Sequence, residues 1–338
     1  MLQFLLQQVT FISDAINWQQ ALIQFEYSDI YHSFEYVYLE AQRLDGAPKL
    51  LVINMPTGMI GLVMIFKKIP NEPRFFDATS VYGYNGILTT SKLTTTDFNK
   101  GIEEIKNSLK QRGCVSFFNR ESNFTARRLP EAKETGKVLG VDLEQTPEDY
   151  EKSLAEGHRQ EIKALRKLNY KVIQSSDTEV TESFFEVYKQ TMLRRSATPN
   201  YFFSVHYFST ILKIKSSNPI LRVVYDEGKM IAGAIFITQG NHMYYMFSGS
   251  ILNITPYPAI KLIIDEVIRE NLQTGKKLLL LGGGLGGKED GLYKFKYGFG
   301  KIVLPFHTTQ WILLPDVYQR LSAPITKEGE FFPKYRLI

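Results

Sequence analysis

A lysine between two phenylalanines is the side chain in this sequence best suited to chemistry. Phe295 and Phe299 flank Lys296, which follows a cluster of glycines at positions 282–284. An ammonium group at this place could stabilise a developing oxyanion or hold a phosphate, and Phe295 offers it a cation–π face. The alternative is a lysine whose stem covers an aromatic surface while its charge stays in water. On residue types alone, the two interpretations are balanced.

Four basic residues share one face of a predicted helix, at positions i, i+4, i+7 and i+8: Arg159, Lys163, Arg166 and Lys167. This spacing stacks their charges on one side of the helix. A solvated surface commonly explains such a face, and a grip on ligand phosphates is the rival interpretation. Arg159 and Lys163 are the better candidates for phosphate binding.

A loop rich in glycine and tyrosine is the third candidate. Tyr82 and Tyr84 flank Gly83, and Asp77 is predicted to lie in the same loop. Loop aromatics beside glycine suit stacking on, or hydrogen bonding to, a sugar or an amino-acid group. Plain packing of the tyrosines is the alternative. Asp77 is a candidate to bind the ammonium group of an acceptor.

The glycine cluster also imitates a nucleotide-binding loop. Residues 282–288 fit the glycine and lysine positions of a P-loop, but Glu289 stands where Ser or Thr would hold magnesium. We therefore expect a turn at Gly283 and Gly284 that lets a substrate approach backbone amides, with Asp290 as a further substrate-binding residue.

Covalent and metal chemistry find little support in the sequence. The only cysteine, Cys114, lies in an apolar run, which favours a small buried residue over a nucleophile. One cysteine forms no internal disulfide, which indicates a reducing compartment. The five histidines show no metal-like spacing, and we expect no metal. The N-terminal run 1–6 lacks the positive charge of a signal peptide, and we expect a cytoplasmic protein.

The length of 338 residues exceeds the roughly 250–300 residues at which single cores stop growing, so we expect two domains, over 1–145 and 146–338. The net charge of +5 is too small to indicate general nucleic-acid binding. In the first domain, the patterns predict a short strand at 74–76, a helix capped by Asp97, and strands at 50–54, 59–66, 114–118 and 138–143.

The second domain is predicted to open with a strong helix start. Thr146 is a capping residue and Pro147 stands at the first helical position of a helix that runs to about residue 169. Strands at 221–225, 231–238 and 242–248 form a predicted meander, followed by a helix over 258–271 and a strand over 278–281. The fold class is therefore α/β, or α+β in detail, with mixed and largely antiparallel sheets flanked by helices.

Several stretches together resemble the Fem family of peptidoglycan bridge-forming aminoacyltransferases and their GNAT-like relatives. The most specific one is the strand ending in the glycine cluster, followed by the Phe-Lys-x-x-Phe segment at 295–299. Residues 188–194 and 244–250 agree with it, and Gly83-Tyr84-Asn85-Gly86 resembles the GYxG loop of the same relatives. The resemblance extends from about residue 25 to 321 and implies two tandem GNAT-like domains.

The resemblance implies N-acyl or N-aminoacyl transfer to an amine of a cell-envelope glycan precursor or a small metabolite, in a bacterial protein. Lys296 would be the functional lysine, with Phe295 beside it. Tyr245 and Ser248 would border the acyl groove, and the basic helix would hold a nucleotide- or lipid-linked acceptor. A lipid-linked acceptor would bring the protein to the inner-membrane surface. The chain would hold no permanent cofactor.

The donor stays open between aminoacyl-tRNA and acyl-CoA. The chain between 171 and 221 is too short for the helical arm that many peptidoglycan Fem enzymes carry, and residues 249–256 lack the Q/R-x-x-G-x-G/A turn of CoA-binding GNAT enzymes. Two alternatives are an acetyl-CoA-dependent GNAT N-acetyltransferase and a non-catalytic module of the same fold that binds a nucleotide sugar.

Overall fold

The computed structural model describes residues 9–327, 329 and 331–337, so the N-terminal run considered above lies outside the described residues. The chain divides into two compact units, Met1–Thr135 with Phe306–Ile338, and Gly136–Pro305. The division after residue 135 differs by ten positions from the predicted boundary. The larger difference is that the C-terminal segment joins the first unit, because its strand and helix pack there.

The strands and α-helices of the first unit, in the part of the chain that the structure describes, are β1 Thr10–Ile12, α1 Ala15–Leu22, α2 Phe34–Arg43, β2 Gly46–Met55, β3 Gly58–Lys68, β4 Phe76–Thr79, β5 Leu88–Thr89, α3 Thr95–Gln111, β6 Cys114–Arg120 and α10 Pro315–Ser322. Its sheet has the order β1-β2-β3-β4-β6, and β5 pairs with β3. The last strand that the structure describes, β13 Ile302–Ile312, pairs with β6 through residues 308–312. The β4–β6 pairing is parallel and the others are antiparallel.

The core of the first unit explains why the C-terminal segment belongs there. Trp311 and Leu313 are 4% exposed and lie in the same apolar cluster as Leu51, Phe98 and Phe117. The rings of Trp311 and Phe117 are 5.0 Å apart. A hydrophobic core of this unit therefore needs side chains from both ends of the sequence.

Two predictions for the first unit are corrected. Thr94, not Asp97, caps helix α3; Asp97 is buried and its carboxylate accepts hydrogen bonds from the backbone N–H and hydroxyl of Thr57. The predicted strand at 74–76 lies instead at Phe76–Thr79, which places Asp77 in a strand and not in a loop.

The second unit contains the remaining elements: β7 Lys133–Asp142, α4 Pro147–Ser153, α5 Glu156–Lys167, β8 Ile173–Gln174, α6 Thr178–Arg194, α7 Val205–Ile211, β9 Ile220–Asp226, β10 Lys229–Gln239, β11 His242–Ser250, α8 Ile260–Asn271, β12 Leu278–Gly282 and α9 Gly291–Tyr297. Its sheet has the order β7-β12-β11-β10-β9-β8. The β11–β12 pairing is parallel, and the other pairings are antiparallel. The expected mixed α/β fold, with largely antiparallel sheets flanked by helices, is confirmed.

Local sequence signals account for most boundaries of the second unit. The Thr146 side chain accepts the N–H of Asp149 at the start of α4, as predicted. The β9–β10 hairpin turns through Glu227 and Gly228, both with positive φ, which is typical of a tight turn between antiparallel strands. Within the described ranges, no helix is long and apolar enough to cross a membrane.

The helix predicted to run from 147 to about 169 is broken in two. Leu154 has an extended ψ of 131°, and the next residue, Ala155, donates its N–H to the carbonyl of Gly298 at 2.9 Å. A tertiary hydrogen bond therefore replaces the intrahelical one at this point, and α5 begins afresh beside the end of α9.

Candidate functional site

Strands β11 and β12 separate in the middle of the second unit. Their parallel pairing covers three positions, from His242 with Leu278 to Tyr244 with Leu280. Beyond these positions β11 continues to Ser250, whereas β12 ends at Gly282. The β-pairing of these two parallel strands therefore stops at Tyr244 and Leu280. Tyr245 and Ser248 lie on the part of β11 that continues past the pairing.

The glycine cluster ends β12, as predicted, and leads through a short turn into α9. Gly282 has a positive φ of 78°, a conformation that glycine adopts at little cost. A Cβ at Gly283 would overlap the Lys137 carbonyl, and one at Gly284 would overlap the Lys288 carbonyl and the Asp290 carboxylate. The space beside both glycines is thus filled by the protein. The approach of a substrate to their backbone amides stays a prediction.

Asp290 begins α9, and its carboxylate is already occupied. Its oxygens accept the N–H groups of Tyr293 at 2.9 Å and Leu285 at 3.1 Å. Burial raises the pKa of this carboxyl, but the backbone N–H donors outweigh it and hold the pKa below its ordinary value. Asp290 therefore caps the helix that carries Lys296, and its role in substrate binding stays a prediction.

Lys296 points inward from the last turn of α9. The residue is 9% exposed, and its Nζ donates a hydrogen bond to the Gly283 carbonyl at 2.7 Å. Burial lowers the pKa of this amine to about 7, with Asp290 acting in the opposite direction and Arg195 adding to the depression. The amine is consequently present in both protonation states near neutral pH, which suits proton transfer.

Phe295 does not serve Lys296 as expected. Its ring lies 5.5 Å from the rings of His158 and Phe299, and the cation near its face is Lys261, whose Nζ is 6.0 Å from the ring centroid. The predicted cation–π partnership with Lys296 is thus corrected to one with Lys261. Phe295 packs against the core of the second unit.

Arg195 is a charged neighbour of both Lys296 and Tyr245. Burial raises the pKa of the Tyr245 hydroxyl to about 12, while its hydrogen bond with Ser248 and the charge of Arg195 work against the rise. Arg195 caps the C-terminal end of α6 and acts electrostatically on both Tyr245 and Lys296. The predicted residues Tyr245 and Ser248 are therefore neighbours, and Arg195 places a positive charge near Lys296.

The basic face of α5 lines a separate cavity of about 550 Å³ in the second unit. Arg159, Lys163 and Arg166 contribute to its lining together with Arg269, and Lys167 does not. Arg159 forms an ion pair with Glu156 and also donates to the Glu151 carbonyl. Across the described residues, Lys163 has no carboxylate within ion-pair distance. Lys163 is thus the cation of the predicted pair most available to an anion.

The tyrosine loop lies in the first unit and is held by its own neighbours. Tyr82 donates its N–H to Glu40 at 2.9 Å, and the Tyr84 ring contacts Tyr31 and Phe306 edge to face at 5.8 and 5.9 Å. Burial raises the pKa of the Tyr84 hydroxyl. The packing interpretation therefore has direct support at Tyr84.

Asp77 has a partner within the chain. Its carboxylate is 3% exposed and accepts a hydrogen bond from Nε of Arg336 at 2.5 Å. Burial raises the pKa of Asp77, and the Arg336 guanidinium opposes that rise. The cation that Asp77 binds in this structure is Arg336, and the role of Asp77 in binding a substrate ammonium stays a prediction.

Sequence reasoning missed one set of side chains beside α9. His158 hydrogen-bonds the Phe295 carbonyl, Lys261 hydrogen-bonds His158, and Glu161 pairs with Lys261. His158 lies next to Arg159, at the start of the basic pattern of α5, and is not itself part of that pattern. The i, i+3 spacing of His158 and Glu161 was a readable signal, but Lys261 is a hundred positions away from Glu161.

Comparison with known proteins agrees with this architecture. Residues 213–307, which include β11, β12 and Lys296, match the FemAB family. The resemblance to Fem-type proteins is confirmed. The whole chain is also similar to FemX, with a TM-score of 0.68 and 13% identity over 93% of this chain and 99% of FemX.

Two further solved structures share the fold at low identity. L-PGS from Bacillus licheniformis has a TM-score of 0.56 and 11% identity, covering 90% of this chain and 95% of that one. The C-terminal domain of a putative lysylphosphatidylglycerol synthetase from Agrobacterium fabrum has a TM-score of 0.53 and 12% identity, covering 87% and 90%. No curated protein matches the sequence significantly. These likenesses concern the fold.

Proposed function

We propose that this Fem-like chain is an acyltransferase that forms an amide by transferring an aminoacyl or acyl group to an amine. The observation that carries the proposal is the buried Lys296 amine, with a pKa of about 7, beside the point where β11 and β12 separate. The FemAB match over the same segment supports this reaction class.

The reaction requires proton transfer at two places. The acceptor amine attacks the carbonyl carbon of an ester or thioester, a C–N bond forms, and the C–O or C–S bond breaks. The attacking nitrogen must lose a proton and the leaving oxygen or sulfur must gain one. Neutral Lys296 takes the first proton, and the resulting ammonium returns it to the leaving group. Arg195 contributes positive charge for the oxyanion that forms in between.

For the donor, we favour an aminoacyl ester carried by tRNA over acyl-CoA. The glycine cluster followed by Phe295 and Lys296 is the feature closest to the Fem pattern. After β11 the chain lacks the CoA-type pyrophosphate turn, and Gly249 has another purpose: a Cβ there would overlap the backbone of Tyr188 on α6. We propose no permanently bound cofactor.

For the acceptor, we propose an amine on a phosphate-bearing precursor of a cell-envelope glycan, with a small metabolite as the alternative. The cavity lined by Arg159 and Lys163 supports a phosphate-bearing molecule, because Lys163 offers an ammonium that no carboxylate in the described residues occupies. A cytoplasmic location follows from such an acceptor and remains part of the proposal.

Ligand binding followed by thermal unfolding distinguishes the possible acyl donors, and also distinguishes an enzyme from a binding module. Charged tRNA, acetyl-CoA and CoA are added separately while thermal unfolding is followed, with Lys296→Met in parallel. A ligand at 100 times its Kd stabilises the folded state by roughly 2.7 kcal/mol, which gives a visible shift. We expect charged tRNA to shift the melting temperature and acetyl-CoA to leave it unchanged. Amide formation on an added amine should depend on Lys296.

The opposite outcomes are equally informative. A shift with acetyl-CoA alone would contradict the aminoacyl donor and identify an acetyl-CoA-dependent N-acetyltransferase. If no donor binds and a nucleotide sugar does, the chain is a non-catalytic binding module. Full amide formation by Lys296→Met would remove the proposed proton-transfer role.

A further inference from the structure

His158 makes two hydrogen bonds that fix its protonation. Its Nε2 lies 2.9 Å from the carbonyl oxygen of Phe295, and its Nδ1 lies 3.2 Å from Nζ of Lys261. A carbonyl oxygen only accepts hydrogen bonds, so Nε2 carries the proton and donates it. Nδ1 is then left with a lone pair, which accepts from the Lys261 ammonium. His158 is therefore the neutral Nε2–H tautomer.

Lys261 is anchored from the other side. This α8 residue is 8% exposed, and its Nζ lies 2.6 Å from Oε2 of Glu161. A buried ammonium is tolerated when its donors are satisfied, and here it donates both to a carboxylate and to the imidazole. Glu161, Lys261 and His158 thus form a continuous chain of hydrogen bonds that ends on the backbone of α9.

The end of α9 needs such support. The helix has seven residues, fewer than an isolated helix requires for stability. The Phe295 carbonyl accepts the N–H of Gly298 at 3.2 Å, and the His158 imidazole is its second donor. The His158 ring lies 5.5 Å from the Phe295 ring and 4.5 Å from the Phe299 ring. A Cβ at Gly298 would overlap the imidazole, so glycine at this position permits the close approach.

We propose that His158 is a positioning residue: the Glu161–Lys261–His158 chain holds the carbonyl of Phe295, and through it keeps the next residue, Lys296, buried against the Gly283 carbonyl. Its relevance to catalysis rests on the proposed function of Lys296. The geometric claim stands apart from that function, because it concerns only the environment of the Lys296 amine.

Lys296 and His158 each have charged neighbours that affect the pKa of the side chain. Lys296 is influenced by Asp290 and Arg195, and His158 by Lys261, Glu161 and Lys301. Burial, then the charge of Lys261, lowers the pKa of His158, which agrees with a neutral ring. Release of α9 would admit water to Lys296 and return its pKa toward the ordinary lysine value of about 10.4.

Competitive acetylation measures this without any substrate. The folded protein receives a trace of acetic anhydride at pH 6 to 11, and mass spectrometry quantifies the modification of Lys296. Each profile is normalised to its high-pH plateau, so that differences in access cancel and the midpoint reports the pKa of the amine. The variants are His158→Leu, which removes both hydrogen bonds, His158→Gln, which retains a side-chain N–H, and Lys261→Met. His206→Leu, at an exposed histidine of the same unit, is the matched control.

We expect a wild-type midpoint near pH 7 and an upward shift of at least one pH unit in His158→Leu, a tenfold loss of neutral amine at pH 7. His158→Gln should restore part of the shift, and His206→Leu should show none. An unshifted midpoint in folded His158→Leu overturns the proposal. If that variant does not fold, Lys261→Met decides: a shifted midpoint supports the proposal, and an unshifted one overturns it. A shifted midpoint combined with full transfer by Lys296→Met would refute the proposed function and leave the positioning role intact.

Discussion

At the scale of single residues, the buried amine of Lys296 is unfavourable for folding. A lysine in the unfolded chain binds a proton up to a pH of about 10.4, whereas in the folded protein burial lowers its pKa to about 7. Between these values the unfolded state binds more protons than the folded state, so the contribution of Lys296 to stability falls as the pH falls. This cost is typical of residues retained for chemistry.

Lys296→Met should remove this pH dependence. From pH 7 to 9 the wild type should gain about 1 kcal/mol per pH unit relative to the variant, since one fully linked proton is worth about 1.4 kcal/mol per unit. Urea unfolding followed by circular dichroism at pH 7, 8 and 9 measures the difference. Lys294→Met, at an exposed position of the same helix, should keep the wild-type slope. Parallel curves for wild type and Lys296→Met would contradict the lowered pKa.

Alanine substitutions of the two candidate phosphate-binding residues of α5 should raise the acceptor KM by different amounts. Arg159 is held by Glu156, whereas Lys163 has no carboxylate partner in the described residues, so Lys163→Ala should raise the acceptor KM more than Arg159→Ala does. We expect about a tenfold rise for Lys163→Ala, equivalent to one partly screened charged hydrogen bond. Initial rates at low and high salt measure it, and the effect should shrink with salt. Lys167→Ala, outside the cavity lining, is the control, and an equal effect there would reassign the face to plain surface.

At the scale of elements, local sequence signals predicted the helices and strands that carry the candidate residues better than the long-range contacts that hold those elements in place. The strand ending in glycine, the meander and the capped helix at Thr146 follow from turn and capping chemistry within a few residues. The break at Leu154 depends on the carbonyl of Gly298, and the His158 hydrogen bond spans 137 positions. Such contacts have no local pattern. The ion pair of Asp77 with Arg336 likewise spans 259 positions. Asp290 differs, because it caps α9 through N–H groups three and five positions away, which is a local pattern.

Gly298→Ala tests the close approach of α5 to α9. Gly298 has helical backbone angles, so alanine alone should stabilise the chain by about 0.5–1 kcal/mol. The overlap of its Cβ with the His158 ring should reverse the sign and destabilise the protein by about 1–3 kcal/mol. Gly291→Ala, at the other end of α9 where a Cβ meets open space, should be neutral or stabilising. Urea unfolding of the two variants decides, and a stabilised Gly298→Ala would show that the imidazole moves aside at no cost.

At the scale of the whole molecule, the first unit is closed by the end of the chain. Arg336 donates to the carboxylate of Asp77 and to the carbonyl of Lys68 at 2.6 Å, and the Tyr335 hydroxyl lies 2.8 Å from the Ser116 hydroxyl. The sequence alone favoured a division into an N-terminal and a C-terminal domain, because no pattern in the segment after residue 305 predicts which strand it pairs with. The pairing of β13 with β6 decides its membership.

The chain provides a reporter specific to this unit. Its two tryptophans, Trp18 and Trp311, are both buried in the first unit, so tryptophan fluorescence follows the unfolding of that unit, while circular dichroism follows both. Arg336→Met would leave the Asp77 carboxylate buried without its cation, at a cost of about 2–3 kcal/mol. We therefore expect the fluorescence midpoint in urea to fall clearly. Arg320→Met removes an exposed ion pair with Glu72 and should leave the midpoint nearly unchanged, because solvent screens such pairs.

The loss of stability in Arg336→Met should also depend on pH. Burial already raises the pKa of Asp77, and protonation of this carboxylate removes the uncompensated charge. The difference in stability between Arg336→Met and the wild type should therefore narrow as the pH falls toward 4. A gap that stays constant with pH would mean that the tail stabilises the first unit through packing at Tyr335 and not through the ion pair.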